Sequence, residues 1–131
     1  MAENLTDNGC PKRLRTSRGN VLGQIIFCEG CCCGRVDRGM PAFPKKMIKA
    51  EWKAQKLNNT IQLTISGCLG PCDLVNVACV ITHEGDWIWL GSLSESSHYE
   101  TIIDWAIACQ SEGRLIEFPA SLSHKRFERF G

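Results

Sequence analysis

The stretch Thr60-Ile61-Gln62-Leu63-Thr64-Ile65-Ser66-Gly67-Cys68-Leu69-Gly70-Pro71-Cys72 decides the fold. Apolar and polar residues alternate through its first half. That puts Ile61, Leu63 and Ile65 on one face of an extended chain and predicts a strand. The alternation stops at Gly67, and two cysteines follow on a turn bracketed by Gly67 and Gly70. Glycine there lets the backbone come close and point its N–H groups at whatever the sulfurs bind. A second cluster, Cys28-Glu29-Gly30-Cys31-Cys32-Cys33-Gly34, closes another apolar run over residues 21–27. The run Ile25-Ile26-Phe27 is too continuous for a solvent-facing strand.

Working outward, Phe43, Met47, Ala50, Ala54 and Leu57 fall at helical spacing, which predicts a helix over residues 44–57 with Pro44 in its first turn. Lys45, Lys46, Lys49, Lys53 and Lys56 occupy its solvated side, and Asn58-Asn59 ends it. Residues 75–82 read as a third strand, Glu84-Gly85-Asp86 as a turn and residues 87–90 as a fourth strand. So short a connection makes an antiparallel hairpin. Trp87 and Trp89 share one face of it, Ile88 and Leu90 the other; such a tryptophan face is core or subunit contact rather than a nucleic-acid platform. Ser97-His98-Tyr99-Glu100 reads as a capping box. It opens a last helix with Tyr99, Ile102, Ile103, Ala106 and Ile107 as its buried stripe and Gly113 as its C-cap.

The order is therefore β-α-β, then β-β-α. A right-handed crossover makes the first two strands parallel, and the hairpin completes the sheet. The expected fold is α/β and thioredoxin-like, a mixed four-stranded sheet flanked by two main helices. Both cysteine loops then leave the carboxyl ends of neighbouring parallel strands, where open α/β sheets hold their ligands.

A chain of 131 residues suits one core. Residues 1–20 read as a flexible basic arm with Lys12, Arg13, Arg15 and Arg18; the sharper alternative is a docking arm for an acidic partner. Residues 21–112 form the folded domain. Residues 113–131 read as a C-terminal tail carrying Phe118, Lys125, Arg126, Phe127 and Phe130. A net charge of +1 makes no electrostatic case for nucleic acid or membrane. The first residues are polar and unlike a secretory signal, and no apolar run approaches the ~20 residues of a membrane helix, so a cytoplasmic location is expected.

Nine cysteines need a reason. In a reducing compartment metal binding or thiol chemistry is a better one than disulfides, and an odd count with three in succession is awkward for a fully paired framework. Iron–sulfur clusters are commonly held by four cysteine thiolates, and two cysteine loops meeting at a sheet end suit that chemistry. Two other readings compete. Cys28-x2-Cys31 after a strand is the form of a thiol–disulfide oxidoreductase motif, but it leaves Cys68 and Cys72 without a use. Four thiolates also suit a structural zinc or sensor site, although zinc knuckles favour C-x2-C or C-x4-C over the C-x3-C found here.

Cys28-x4-Cys33 followed by Cys68-x3-Cys72 resembles the thioredoxin-like 2Fe–2S ferredoxins. These include the small 2Fe–2S subunit of respiratory complex I and the ferredoxin-like proteins linked to cobalamin biosynthesis. Gly67-Cys68-Leu69-Gly70-Pro71-Cys72 looks like that family's second ligand loop. The hairpin through Gly85, then Gly91-Ser92-Leu93-Ser94-Glu95 leading into a helix, resembles its C-terminal half. The resemblance covers residues 21–112. It implies a 2Fe–2S cluster on Cys28, Cys33, Cys68 and Cys72, single-electron exchange with a redox partner protein, and pairing into a homodimer. The chain departs from the pattern in having Cys31 and Cys32 inside the first interval, which leaves the second ligand of that loop open among Cys31, Cys32 and Cys33. The basic arm and the tail are not assigned to features of that family.

The remaining candidates are bland. Cys10 is a bystander in the arm, Cys79 an inert buried thiol in a strand, and Cys109 a packing residue on a helix face. Glu29 and Asp73 adjoin the cysteines and would tune charge. His83, His98 and His124 are scattered surface residues. No catalytic constellation is visible, so the chain reads as a carrier rather than an enzyme on its own.

Overall fold

The computed structural model describes residues 15–16, 19–30 and 33–129. Most of the basic arm, with Cys10, lies outside the described residues, as do Cys31 and Cys32. Two short strands, β1 (Arg15–Thr16) and β2 (Gly19–Asn20), pair antiparallel ahead of the main sheet. That sheet contains β3 (Gly23–Cys28), β4 (Ile61–Ser66), β5 (Ala78–Thr82), β6 (Trp87–Leu90) and β7 (Arg126–Phe127), in the order β4-β3-β5-β6-β7. Helix α1 (Lys45–Ala54) makes the crossover from β3 to β4, and α2 (Ser96–Glu112) follows the hairpin. β3 and β4 are parallel and in register from Gly23 beside Ile61 to Cys28 beside Ser66. β5 pairs antiparallel with both β3 and β6. This is the expected mixed α/β thioredoxin arrangement, extended by one strand.

The extra strand comes from the segment read as a tail. β7 pairs with β6 through Trp89–Phe127 and Leu90–Arg126. Ahead of it a 3-10 turn, Ala120–Lys125, buries Leu122. The Trp105 indole N–H donates to the Ile116 carbonyl at 2.8 Å, and the Trp105 and Phe118 rings meet edge to face at 5.2 Å. Sequence patterning missed β7 because a strand of two residues is too short to show a period.

Both helices lie on the same face of the sheet. Ile25, Phe27, Ile61, Val80 and Leu90 pack there under Ile48 and Trp52 of α1 and Ile102 and Ala106 of α2. The other face carries a smaller cluster of Cys28, Cys33, Val77, Cys79 and Trp89, with Phe127 against it; among the described residues no helix lies over it. Ile26 points that way and is half-buried, so the continuous apolar run in β3 reflects two unequal cores rather than helices on both sides.

Two boundaries differ from the sequence reading. The buried stripe of α1 is Ile48 and Trp52 with Met47 beside them, while Ala50 and Ala54 face solvent. Trp52 sets this rotation, because its indole N–H donates to the Ile61 carbonyl at 2.7 Å inside the core and a buried indole needs an acceptor. Helix α2 starts ahead of Ser97: Glu95 is its N-cap, and the capping box is formed by Glu95 and His98. Gly113 is the C-cap in the left-handed region, as expected, its N–H donating to the Cys109 carbonyl at 2.9 Å.

Candidate functional site

The site begins where β3 and β4 end side by side. The Cys28 N–H donates to the Val77 carbonyl at 3.0 Å, and the Glu29 N–H to the Ser66 carbonyl at 2.8 Å. These bonds carry the sheet pairing one residue into the loops. The first loop then turns back: the Gly30 N–H donates to the Cys33 carbonyl at 3.0 Å, with Gly30 at φ +90°. Only a residue tolerant of positive φ allows that reversal, and it returns Cys33 to the end of the strand. Cys28 and Cys33 are both buried.

The second loop brings Cys68 alongside. Cys28, Cys33 and Cys68 line one small recess with Leu69, Gly70 and Val77. Cys68 is the exposed member, its sulfur accepting the Gly70 N–H at 3.3 Å. Cys72 opens a 3-10 turn, Cys72–Leu74, at the far end of this loop; its side chain lies outside what the structure describes.

Electrostatics tie the three sulfurs together. Burial, followed by the hydrogen bond with Cys28 and the nearness of Cys28 and Cys68, pushes the Cys33 thiol up to about 12 against the opposing hydrogen bond with the Val77 backbone. At neutral pH Cys33 is therefore a protonated thiol, and a cation binding there would displace its proton. Among the described residues no three His, Cys, Asp or Glu side chains are drawn close enough to hold a metal ion. The donor chemistry nevertheless fits an iron–sulfur group: three thiols share one recess, and a fourth cysteine, Cys72, stands at the far end of the Cys68 loop.

The residue that sequence reasoning missed is Asn76, which is 1% exposed. Its Oδ1 accepts the Gly34 N–H at 2.8 Å. Its Nδ2 faces the carbonyls of Pro41 and Ala42 at 3.1 and 3.0 Å and the Tyr99 hydroxyl at 3.2 Å. One amide thus joins the end of the first cysteine loop to the approach to α1 and to the start of α2. The signal was present as a single polar residue in Leu74-Val75-Asn76-Val77, inside a run read only as strand.

The other named residues fall as follows. Cys79 belongs to the same apolar cluster as Cys28 and Cys33, and burial pushes its thiol up to about 11. Cys109 lies in the main core, its sulfur accepting the Ile116 N–H at 3.3 Å. Glu29 is ion-paired with Lys45 at 3.0 Å, which ties the first loop to the first turn of α1, and Asp73 is exposed. His83 and His124 are exposed, whereas His98 is half-buried and serves the helix cap.

No family model matches the chain, and no curated protein matches it in sequence. Among solved structures it is similar to the wild-type thioredoxin-like [2Fe-2S] ferredoxin from Aquifex aeolicus. The identity is 15% and the TM-score 0.48, over 83% of this chain and 99% of that one. No helix among the described residues is long and apolar enough to cross a membrane.

Proposed function

We propose that this protein is a thioredoxin-like 2Fe–2S ferredoxin, a carrier of single electrons to or from a partner protein. Cys28, Cys33, Cys68 and Cys72 would hold the cluster. The observation that supports this most is the recess at the carboxyl ends of two parallel strands, lined by Cys28, Cys33 and Cys68. A bound cluster would supply one-electron transfer; the chain supplies the thiols, the surroundings and the route in. Buried Cys28 and Cys33 offer two sulfurs inside an apolar cluster, which limits water around a cofactor. Exposed Cys68 marks the side open to a partner. Burial of Cys28 also weighs against a thiol–disulfide enzyme, whose nucleophile needs partial exposure.

The same reading takes the protein as cytoplasmic and as a homodimer, paired through the face and edge of the Trp87–Trp89 hairpin. Trp87 is 58% exposed there and stacks with Trp89 at 6.4 Å, and exposed apolar patches commonly mark contact surfaces. The test of the cofactor is anaerobic purification with iron and acid-labile sulfide assays. The expected result is a red-brown protein with about two irons and two sulfides per chain. A colourless protein with one zinc per chain overturns the proposal.

A further inference from the structure

The second cysteine loop has a neighbour from the far end of the chain. Gly70 sits at φ +120°, and the space its side chain would fill is taken: a Cβ there would run into the guanidinium of Arg129, whose Cζ would lie 3.1 Å away. The same guanidinium lies over the Trp89 ring, with Cζ 4.6 Å from the ring centroid. The pairing of β7 with β6 fixes this meeting, because Phe127 is opposite Trp89 in the ladder and packs on it at 6.0 Å. Arg129 leaves the sheet two residues later, beside the loop. Its charge also reaches the buried sulfur of Cys79, partly offsetting the rise that burial imposes there.

We propose that Arg129 is a positioning residue for the cysteine site: stacked on Trp89, it clamps the Cys68–Cys72 loop and holds a positive charge beside it. This rests on the reading of that loop as part of a 2Fe–2S site. Arginine suits the task because its planar, permanently charged group stacks flat on an indole with its edge toward the loop. Lysine would keep the charge and lose the planar stack. A fixed cation beside a cluster favours its reduced, more negative state and so raises the midpoint potential.

The test uses the full chain with Arg129→Gln and Arg129→Lys. In the metal-free protein, amide hydrogen exchange is followed over residues 67–73, with the β3 amides as the internal control. Arg129→Gln should exchange several-fold faster in the loop with β3 unchanged, and Arg129→Lys should fall between it and wild type. In the iron-loaded protein Arg129→Gln should keep its iron but titrate at a more negative midpoint, while Arg129→Lys stays near wild type. Unchanged loop exchange in Arg129→Gln overturns the clamp. So does faster exchange throughout β3 in both variants, which would mark a general loss of fold. An unchanged midpoint in Arg129→Gln overturns the charge role. If the wild-type protein takes up no iron, the cluster reading fails, and the exchange comparison still decides the clamp.

Discussion

At the scale of single residues, the ligand assignment makes sharply different forecasts for the two loops. Cys68→Ser and Cys72→Ser should each abolish or badly destabilise the cluster, since that loop holds no spare cysteine. Cys28→Ser should also be severe. Cys33→Ser should be partly rescued by Cys31 or Cys32, leaving a cluster with an altered spectrum, because the Gly30/Gly34 frame lets a neighbour take its place. Iron and sulfide assays over the series decide this, and full iron in both Cys68→Ser and Cys72→Ser rules the assignment out. Asn76 is a forecast of another kind. Removing its amide leaves the part-buried Gly34 N–H and Pro41 and Ala42 carbonyls without that partner, and a group left unsatisfied away from water costs about 1–3 kcal/mol. Asn76→Ala should lower the urea-unfolding free energy of the metal-free protein by at least about 2 kcal/mol. Asn76→Asp should not restore it, because a carboxylate accepts from Gly34 but cannot donate to the carbonyls.

The Cys79 thiol ties stability to pH. Its folded pKa of about 11 lies above the ordinary 9.0. A raised acid contributes stability that is present in full below the unfolded value and is lost as pH climbs through the folded one. The stability difference between wild type and Cys79→Ala should therefore hold steady through neutral pH and shrink between pH 9 and 11. Urea midpoints of both proteins across that window measure it, and a difference that grows there contradicts the placement of this thiol.

At the scale of elements, strands and helices were legible wherever a repeat was long enough to count. The alternation in residues 60–66 and the tryptophan hairpin correspond to β4 and β6, whose bounds are Ile61–Ser66 and Trp87–Leu90. The start of α2 was misread because Ser97 and Glu100 have the box spacing, whereas the cap is made by Glu95 with His98. The His98 Nδ1 accepts the N–H groups of Ser94 and Glu95 at 3.1 and 3.2 Å. Burial, with the charge of Lys125 nearby, lowers the His98 pKa and keeps the ring neutral enough to accept them. The C-terminal segment is the larger revision. Leu122 is 2% exposed, so Leu122→Ala should cost about 2–5 kcal/mol of unfolding free energy. A loss below half a kilocalorie would return this segment to the status of a tail.

At the scale of the whole molecule, the described helices cover one face of the sheet and leave the other open. The open face begins at the buried cysteines and runs past Trp89 to exposed Trp87. A homodimer through this face should sediment as a dimer at micromolar concentration, and Trp87→Asp should shift it to monomer without loss of secondary structure. A wild-type monomer under those conditions refutes the pairing.

The sequence by itself determined the β-α-β, β-β-α order, the parallel pair and the two cysteine loops, since each rests on local periodicity or on a handedness rule that holds for nearly every crossover. Only the tertiary structure decided that both helices share one face, that Asn76 is the joint between the first loop and the helices, and that the last strand carries Arg129 to Gly70. Those facts depend on contacts between residues far apart in the chain, such as Asn76 with Gly34, 42 positions away. No local pattern encodes such a meeting; it appears when burial forces each polar group to find a partner inside the fold.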